Sequence, residues 1–234
     1  MTSLESRPSA HPTDAAGAGV QSVQVGRAQD HRWLGKDLRT SIFKSPVHGP
    51  VAARGVNLEG DEQADTNSHG GPDKAVYAYA REDEDWWAAE LGRPVEPGAF
   101  GENLTTVGLD LRQAVIGETW RVGTALLQVS DPRTPCWKLG LRMGDPRFPR
   151  AFAAGRRPGV LLRILEEGVL QAGDPVHVTG RPDHGVTAET VTRIYYGDDK
   201  DLTPLHRATE LAAHWRAWVE HRTVWHLQDE GSGA

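Results

Sequence analysis

The sequence predicts a mainly β fold with some α structure: a β-barrel-like domain over residues 20–180 and a small C-terminal three-helix region over 186–225. Three observations predict it. Short stretches in the body of the chain alternate apolar and polar residues, as half-buried strands do. Turn signals rich in glycine and proline separate them. After the RPDHG turn at 181–185 the apolar spacing becomes helical. Many short strands followed by helices suggest a barrel-like sheet with a helical appendage.

Residues 1–19 are rich in Ser, Ala, Gly, Pro and Thr and are expected to form a disordered tail, as is the stretch 226–234. Val20 to Gly26 (VQSVQVG) alternates and stops at glycine, which reads as a strand. Ser41 to Val47 (SIFKSPV) reads similarly, and Lys74 to Tyr79 (KAVYAY) as a buried strand. Asp83 to Leu91 (DEDWWAAEL) is predicted helical, because its leading acids suit the positive end of a helix dipole and Gly92 can end it. Thr119 to Ser130 predicts two strands turning near Gly123 and Thr124. Val160 to Leu165 and Gly173 to Thr179 flank a turn signal at Glu167-Gly168, which suggests a hairpin. Thr187 to Tyr196 fits a short helix. Thr203 can cap a second, with Pro204 at its first position. Leu211 to Val224 can form a third, with Leu211, Trp215, Trp218, Val219 and Arg222 along one side. Trp86, Trp87, Trp215, Trp218 and Trp225 sit at helical spacings and read as packing residues.

The chain has 234 residues and a formal net charge of −6, which argues against a general nucleic-acid binder. No apolar run approaches the roughly 18 residues needed to span a bilayer. The N-terminus lacks the basic and apolar regions of a secretory signal. A single cysteine forms no internal disulfide, so a reducing cytoplasm is the expected setting.

That cysteine, Cys136, lies in DPRTPCWKL, between Arg133 and Lys138 and beside Pro132 and Pro135. Cations favour the thiolate, a soft ligand and good nucleophile. The alternative is a small buried hydrophobe. In SHGGPDKAVYAY, Gly70 and Gly71 can bring backbone N–H groups close to an anion, with His69 and Lys74 as cationic donors on either side. An ordinary tight turn explains it equally. In PGAFGENLTTVGL, Asn103 offers a donor and an acceptor for a flat heterocycle's edge, or forms an Asx-type turn. Glu59, Asp61, Glu62, Asp65 and His69 lack a fixed calcium-loop spacing and read as a solvated acidic loop rather than a hard-cation site.

Taken in order, LEGDEQAD, HGGPDKAVYAY, FGENLTTVGL, IGETWRVGTALLQVSDPRTPCWKL and RPGVLLRILEEGVLQAGDPV resemble the YiiM-like branch of the MOSC-domain family, named for the C-terminal domain of molybdenum cofactor sulfurases. The resemblance covers roughly residues 20–180, and the segment 186–222 looks like that branch's three-helix appendage. It implies a β-barrel-like MOSC fold that binds molybdenum cofactor (molybdopterin), with Cys136 as the protein's ligand to molybdenum and catalytic residue. It implies a cofactor pocket from His69, Gly70, Gly71, Lys74, Asn103, Arg133 and Lys138 in one cleft beside Cys136. The cationic stretch RRPG at 156–159 is a further candidate for the cofactor phosphate. The implied reaction is two-electron reduction of a small N-hydroxylated substrate, such as a hydroxylaminopurine-type base, to the amine. Electrons would come from a separate reductase or ferredoxin-like protein, because one cysteine cannot hold an iron–sulfur cluster. The C-terminal helices are expected to pack on the barrel or on a second subunit of a homodimer. An alternative in the family's history is a sulfur carrier with a Cys136 persulfide, sometimes linked to pyridoxal phosphate. A third reading, thiol hydrolysis, needs a base near Cys136, with His48, His69 and His177 as candidates.

Overall fold

The computed structural model describes residues 17–65 and 70–231, with side chains as far as Thr223. The chain begins with β1 (Gly19–Val25) and a hairpin, β2 (Gln29–Trp33) and β3 (Lys36–Thr40). Three short strands follow: β4 (Ser45–Val47), β5 (Val51–Arg54) and β6 (Asn57–Leu58). Next come β7 (Val76–Ala80), helix α1 (Arg81–Leu91), β8 (Leu104–Val107), β9 (Thr119–Val122) and β10 (Ala125–Pro132). Helices α2 (Trp137–Met143) and α3 (Phe148–Gly155) precede β11 (Val160–Glu166), β12 (Gly168–Leu170) and β13 (Val176–Gly180). The chain ends in α4 (Ala188–Tyr195), α5 (Thr203–Arg207) and α6 (Ala213–Gly231).

Eight strands form one sheet in the order β13-β9-β10-β11-β7-β8-β1-β4. Its pairings are antiparallel except β7 with β8, where α1 supplies the crossover that a parallel pair needs. The sheet curls until β1 meets the start of β13. Gly19 bridges Pro175, Val20 N–H donates to Asp174 O at 2.9 Å, and Val176 N–H donates to Ala18 O at 3.0 Å. These bonds close the barrel and satisfy backbone groups that an open edge would expose. Farther along, β1 pairs with β4 through Val23 and Val47.

The period of two decides where side chains go. On β7, Val76 and Ala78 join the main core with Leu127, Val129, Val160 and Leu162, while Tyr77 and Tyr79 enter a second, aromatic cluster with Trp87, Phe100, Phe148 and Phe152. Every residue of β7 is therefore buried, as the KAVYAY pattern predicts. Val191 and Ile194 of α4, Leu211 ahead of α6, and Trp215 and Val219 of α6 share the main core, so the C-terminal helices pack on the barrel of their own chain. The tryptophans at helical spacing pack as expected: Trp87 and Trp215 are buried, Trp86 packs edge-on against Trp87, and Trp218 against Trp215. The side chain of Trp225 lies outside the described residues.

Several expectations need correction. Ser41 to Lys44 is irregular, and the strand is confined to Ser45–Val47, whose Pro46 is tolerated on an edge strand. The segments around Glu167-Gly168 do not pair with each other. β12 leaves for β5, while β13 returns to β9. Gly168 passes so close to β10 that an added Cβ would lie 2.5 Å from Ala125 N. The N-cap of α5 is Leu202 rather than Thr203, with Pro204 in the first turn. Helix α6 runs from Ala213 to Gly231 rather than over Leu211 to Val224, past the expected end of the helical region at 225, and β1 begins at Gly19, inside the expected tail. The rest of that tail, residues 1–16, lies outside the described residues.

The β9–β10 turn shows how tightly the barrel end is packed. Gly123 has φ 55°, and a Cβ there would lie 2.2 Å from Val169 O, on β12. Gly173, with φ 94°, faces open space. Gly123→Ala should therefore cost clearly more than Gly173→Ala, which is expected to lose only about 1 kcal/mol for its backbone conformation. Urea unfolding of both variants checks this; equal losses would contradict the packing at Gly123.

Candidate functional site

The site forms where β10 ends. Pro132 closes the strand, residues 133–136 lead into α2, and Cys136 is the extended N-cap residue of that helix, its carbonyl accepting from Leu139 N–H at 3.0 Å. A cleft of about 210 Å³ opens beside it. Of the residues singled out from sequence, Lys74, Asn103, Arg133, Cys136 and Lys138 line this cleft together. Gly70 and Gly71 do not line it. Gly71 adopts φ 94° to start the 3₁₀ turn Pro72–Lys74, and its N–H donates to Gln63 Oε1 at 2.6 Å. That turn carries Lys74 to the cleft. His69 lies outside the described residues.

Sequence reasoning missed Lys44, Asp61, Asp131 and His214, which also line the cleft. Asp61 corrects the reading of a solvated acidic loop. Its carboxylate is buried and accepts from Gly26 N–H at 2.8 Å, from Asn103 Nδ2 at 2.9 Å and from Lys44 Nζ. Glycine is required at position 26, since a Cβ would lie 2.8 Å from the Ser41 and Phe43 carbonyl oxygens. Burial lowers the Lys44 pKa despite the attraction of Asp61, because removing an ammonium from water costs more than this partner returns. Asp65 pairs with Lys138 at 3.2 Å, and Glu62 accepts from Ala28 N–H at 2.8 Å. Among the described residues no group of three or more potential ligands could hold a metal ion by itself.

Asn103 is built into the wall. Nδ2 also donates to Gln24 O at 3.2 Å, and Oδ1 accepts from Tyr77 N–H at 3.1 Å, which ties β1, β7 and the start of β8 together. Arg133 lies with its guanidinium over the rings of Tyr77, at 5.0 Å, and Phe152, at 5.7 Å. Its Nη1 is buried without a hydrogen-bond partner among the described residues.

The opposite wall comes from α6. Trp215 Nε1 donates to Asp131 Oδ2 at 2.9 Å, and His214 Nε2 lies 3.2 Å from the same oxygen. Asp73 accepts from Ala213 N–H at 3.1 Å and from Arg163 Nε at 2.6 Å, so the turn before β7 and the start of α6 are locked together. Burial pushes the Asp131 carboxyl up to about 7. Burial, then the charge of Lys74, brings His214 down to about 4.

The RRPG stretch does not line the cleft. Arg156 pairs with Asp198 and lies over Tyr196, while Arg157 pairs with Asp83 and lies over Trp86. Both cations are spent on fastening helices. His48 and His177 do not line the cleft either, which leaves His214 as its described histidine.

A family model described as MOSC domain matches residues 65–177. The uncharacterized protein YflK of Bacillus subtilis is 38% identical over 199 residues, covering 85% of this chain and 90% of its own. A protein named reductase from Gibberella moniliformis is 33% identical over 206 residues, 86% of this chain but 36% of its own, so this chain spans about a third of that relative. The crystal structure of YiiM from Geobacillus stearothermophilus matches with TM-score 0.73 and 31% identity, over 88% of this chain and 98% of its own.

Beneath the site, Glu84 and Glu102 are both fully buried and approach the same Thr105 hydroxyl, at 3.3 and 3.4 Å. Burial first, then the neighbouring Glu102, raises the Glu84 pKa from 4.5 to about 9. The folded chain thus binds this proton more tightly than the unfolded chain does. Its stabilisation is complete below about pH 4.5 and is lost as pH rises toward about 9. Glu84→Gln should flatten this slope, gaining on the wild type by up to about 1 kcal/mol per pH unit within that window. Urea titrations at several pH values check it; parallel stability curves would contradict a shared proton.

Proposed function

The chain belongs to the MOSC-domain family, in its YiiM-like branch, and from that premise we propose that it is a molybdenum-cofactor-dependent oxidoreductase reducing N-hydroxylated compounds to amines. The observation that carries the reading is the unspent Arg133 Nη1 in a cleft that also holds Cys136. Molybdopterin is anionic at its phosphate and its dithiolene. A buried guanidinium nitrogen without a protein partner is the donor such a group needs. Lys44, Lys74 and Lys138 line the same cleft, Lys44 paired with Asp61 and Lys138 with Asp65. The residues present therefore fit the cofactor.

Cys136 would hold the molybdenum as a soft thiolate ligand. Arg133, kept in place by Tyr77 and Phe152, would bind an anionic part of the cofactor. When bound, the cofactor supplies the two-electron redox chemistry, and the chain supplies binding, orientation and electrostatics. The substrate is a small N-hydroxylated base of the hydroxylaminopurine type, and electrons come from a separate reductase or ferredoxin-like protein. The Gibberella moniliformis relative named reductase supports the reaction class.

The test is expression in a host that makes molybdenum cofactor, followed by metal and pterin analysis and an assay of hydroxylaminopurine reduction. Wild type should carry both and reduce the substrate. Cys136→Ser should fold with a loss of about 1 kcal/mol and lose most activity, since a hydroxyl is a harder, less acidic ligand. Arg133→Ala should weaken cofactor retention by roughly 10- to 100-fold, the worth of a hydrogen bond to a charged group. Full activity in cofactor-loaded Cys136→Ser would refute the ligand role. A Cys136 persulfide in wild type that never takes up molybdenum cofactor would favour a sulfur carrier.

A further inference from the structure

We propose that Trp137 is the stacking surface for the flat ring of the substrate, and that it makes the protein prefer N-hydroxylated heteroaromatic bases to ringless N-hydroxy compounds. The proposal rests on the reductase reading above.

The cleft itself has no place for such a ring. Its volume is about 210 Å³. Sites that enclose a drug-sized molecule measure roughly 300–1,000 Å³. A cofactor bound in this cleft therefore leaves the substrate to sit at its mouth. The lining is also mainly polar, and neither of its two rings offers a free face. Tyr77 is buried, with the Arg133 guanidinium 5.0 Å from its ring centroid. His214 is tilted against Trp215, with ring centroids 5.7 Å apart. A heteroaromatic base gains most by laying its face on an aromatic side chain, so that face has to lie outside the cleft.

Trp137 stands where it is needed. Its neighbours in the chain, Cys136 and Lys138, both line the cleft, which puts the indole at the rim. The residue is 48% exposed. The contrast with the buried tryptophans is sharp. Trp87, Trp120 and Trp215 each donate the indole N–H, to Tyr79 Oη at 2.9 Å, Glu118 Oε1 at 2.7 Å and Asp131 Oδ2 at 2.9 Å. Among the described residues Trp137 has no acceptor for its N–H and no aromatic partner. Its one ring contact is Lys138 Nζ, 5.9 Å from the centroid, and that ammonium is held by Asp65 at 3.2 Å. Leaving so large a ring in water forgoes the burial that stabilises the other three.

The backbone beneath the ring is fixed. Leu139 and Gly140 are buried, and a Cβ at Gly140 would lie 3.0 Å from Asp145 O. Pro135 stiffens the approach to Cys136. The ring is thus carried by a seated turn beside the thiol, and little ordering is lost when a base stacks on it.

The test uses cofactor-loaded protein and two substrates, 6-hydroxylaminopurine and the ringless N-hydroxyurea. Trp137→Ala should lower the preference for hydroxylaminopurine, as a ratio of kcat/KM values, by about 10-fold. The loss should lie in KM, with molybdenum and pterin content unchanged, and Trp137→Phe should restore most of it. A second readout is independent of turnover. In protein labelled with 5-fluorotryptophan, the fluorine signal that Trp137→Phe removes should shift when adenine, the amine product, is added. An unmoved signal would overturn the proposal. So would an unchanged preference in Trp137→Ala, or a loss that falls equally on both substrates or comes with lost cofactor; the reductase reading would survive all of these. If loaded wild type reduces neither compound, the proposal falls with that reading.

Discussion

The buried ion pair between Lys44 and Asp61 is the constraint on which the cleft depends. Their side chains are 8% and 4% exposed. Asp61 gathers donors from the end of β1, from Asn103 at the start of β8 and from the segment ahead of β4. Three parts of the chain distant in sequence therefore meet on one carboxylate. Removing one partner would leave a buried charge uncompensated, at a cost of about 3–5 kcal/mol. The pair also fixes charge in the cleft wall before any ligand arrives, so binding does not have to order it.

The second organising feature is the docking of the C-terminal helices. Their apolar stripe alone would suggest simple packing, and Leu211, Trp215 and Val219 do pack into the core. The start of α6 also reaches the site. Ala212 N–H donates to Ser130 O at 3.1 Å, Ala213 N–H to Asp73, and Trp215 to Asp131. The barrel supplies Cys136 and Arg133, and the appendage supplies His214 to the same cleft. A chain ending before α6 would keep the thiol and lose one wall.

The fold was legible where a local pattern and the tertiary environment agree. KAVYAY alternates between two cores, and DEDWWAAEL has charged first-turn residues and Gly92 to stop it. It was illegible where long-range pairing decides. Nothing local to Glu167-Gly168 says that β12 will join β5, and the polar residues of β2 and β3 pair only with each other. Helices α2 and α3 were hidden because each is short and begins among prolines. At the site, Cys136, Arg133, Lys138, Lys74 and Asn103 stood out through their neighbours in sequence. Lys44, Asp131 and His214 did not, because each matters through partners far along the chain. The clearest available signal was Asp61, an acid among acids whose partner lay in SIFKSPV, a segment that read as an ordinary strand.

The central claim is that Cys136 gives its sulfur to molybdenum carried by the cofactor. X-ray absorption at the molybdenum edge tests it most directly, with protein purified from a host that makes the cofactor. Wild type should contain one more sulfur in the metal's coordination shell than Cys136→Ser, with the pterin sulfurs common to both. Identical sulfur coordination in the two proteins would contradict the account.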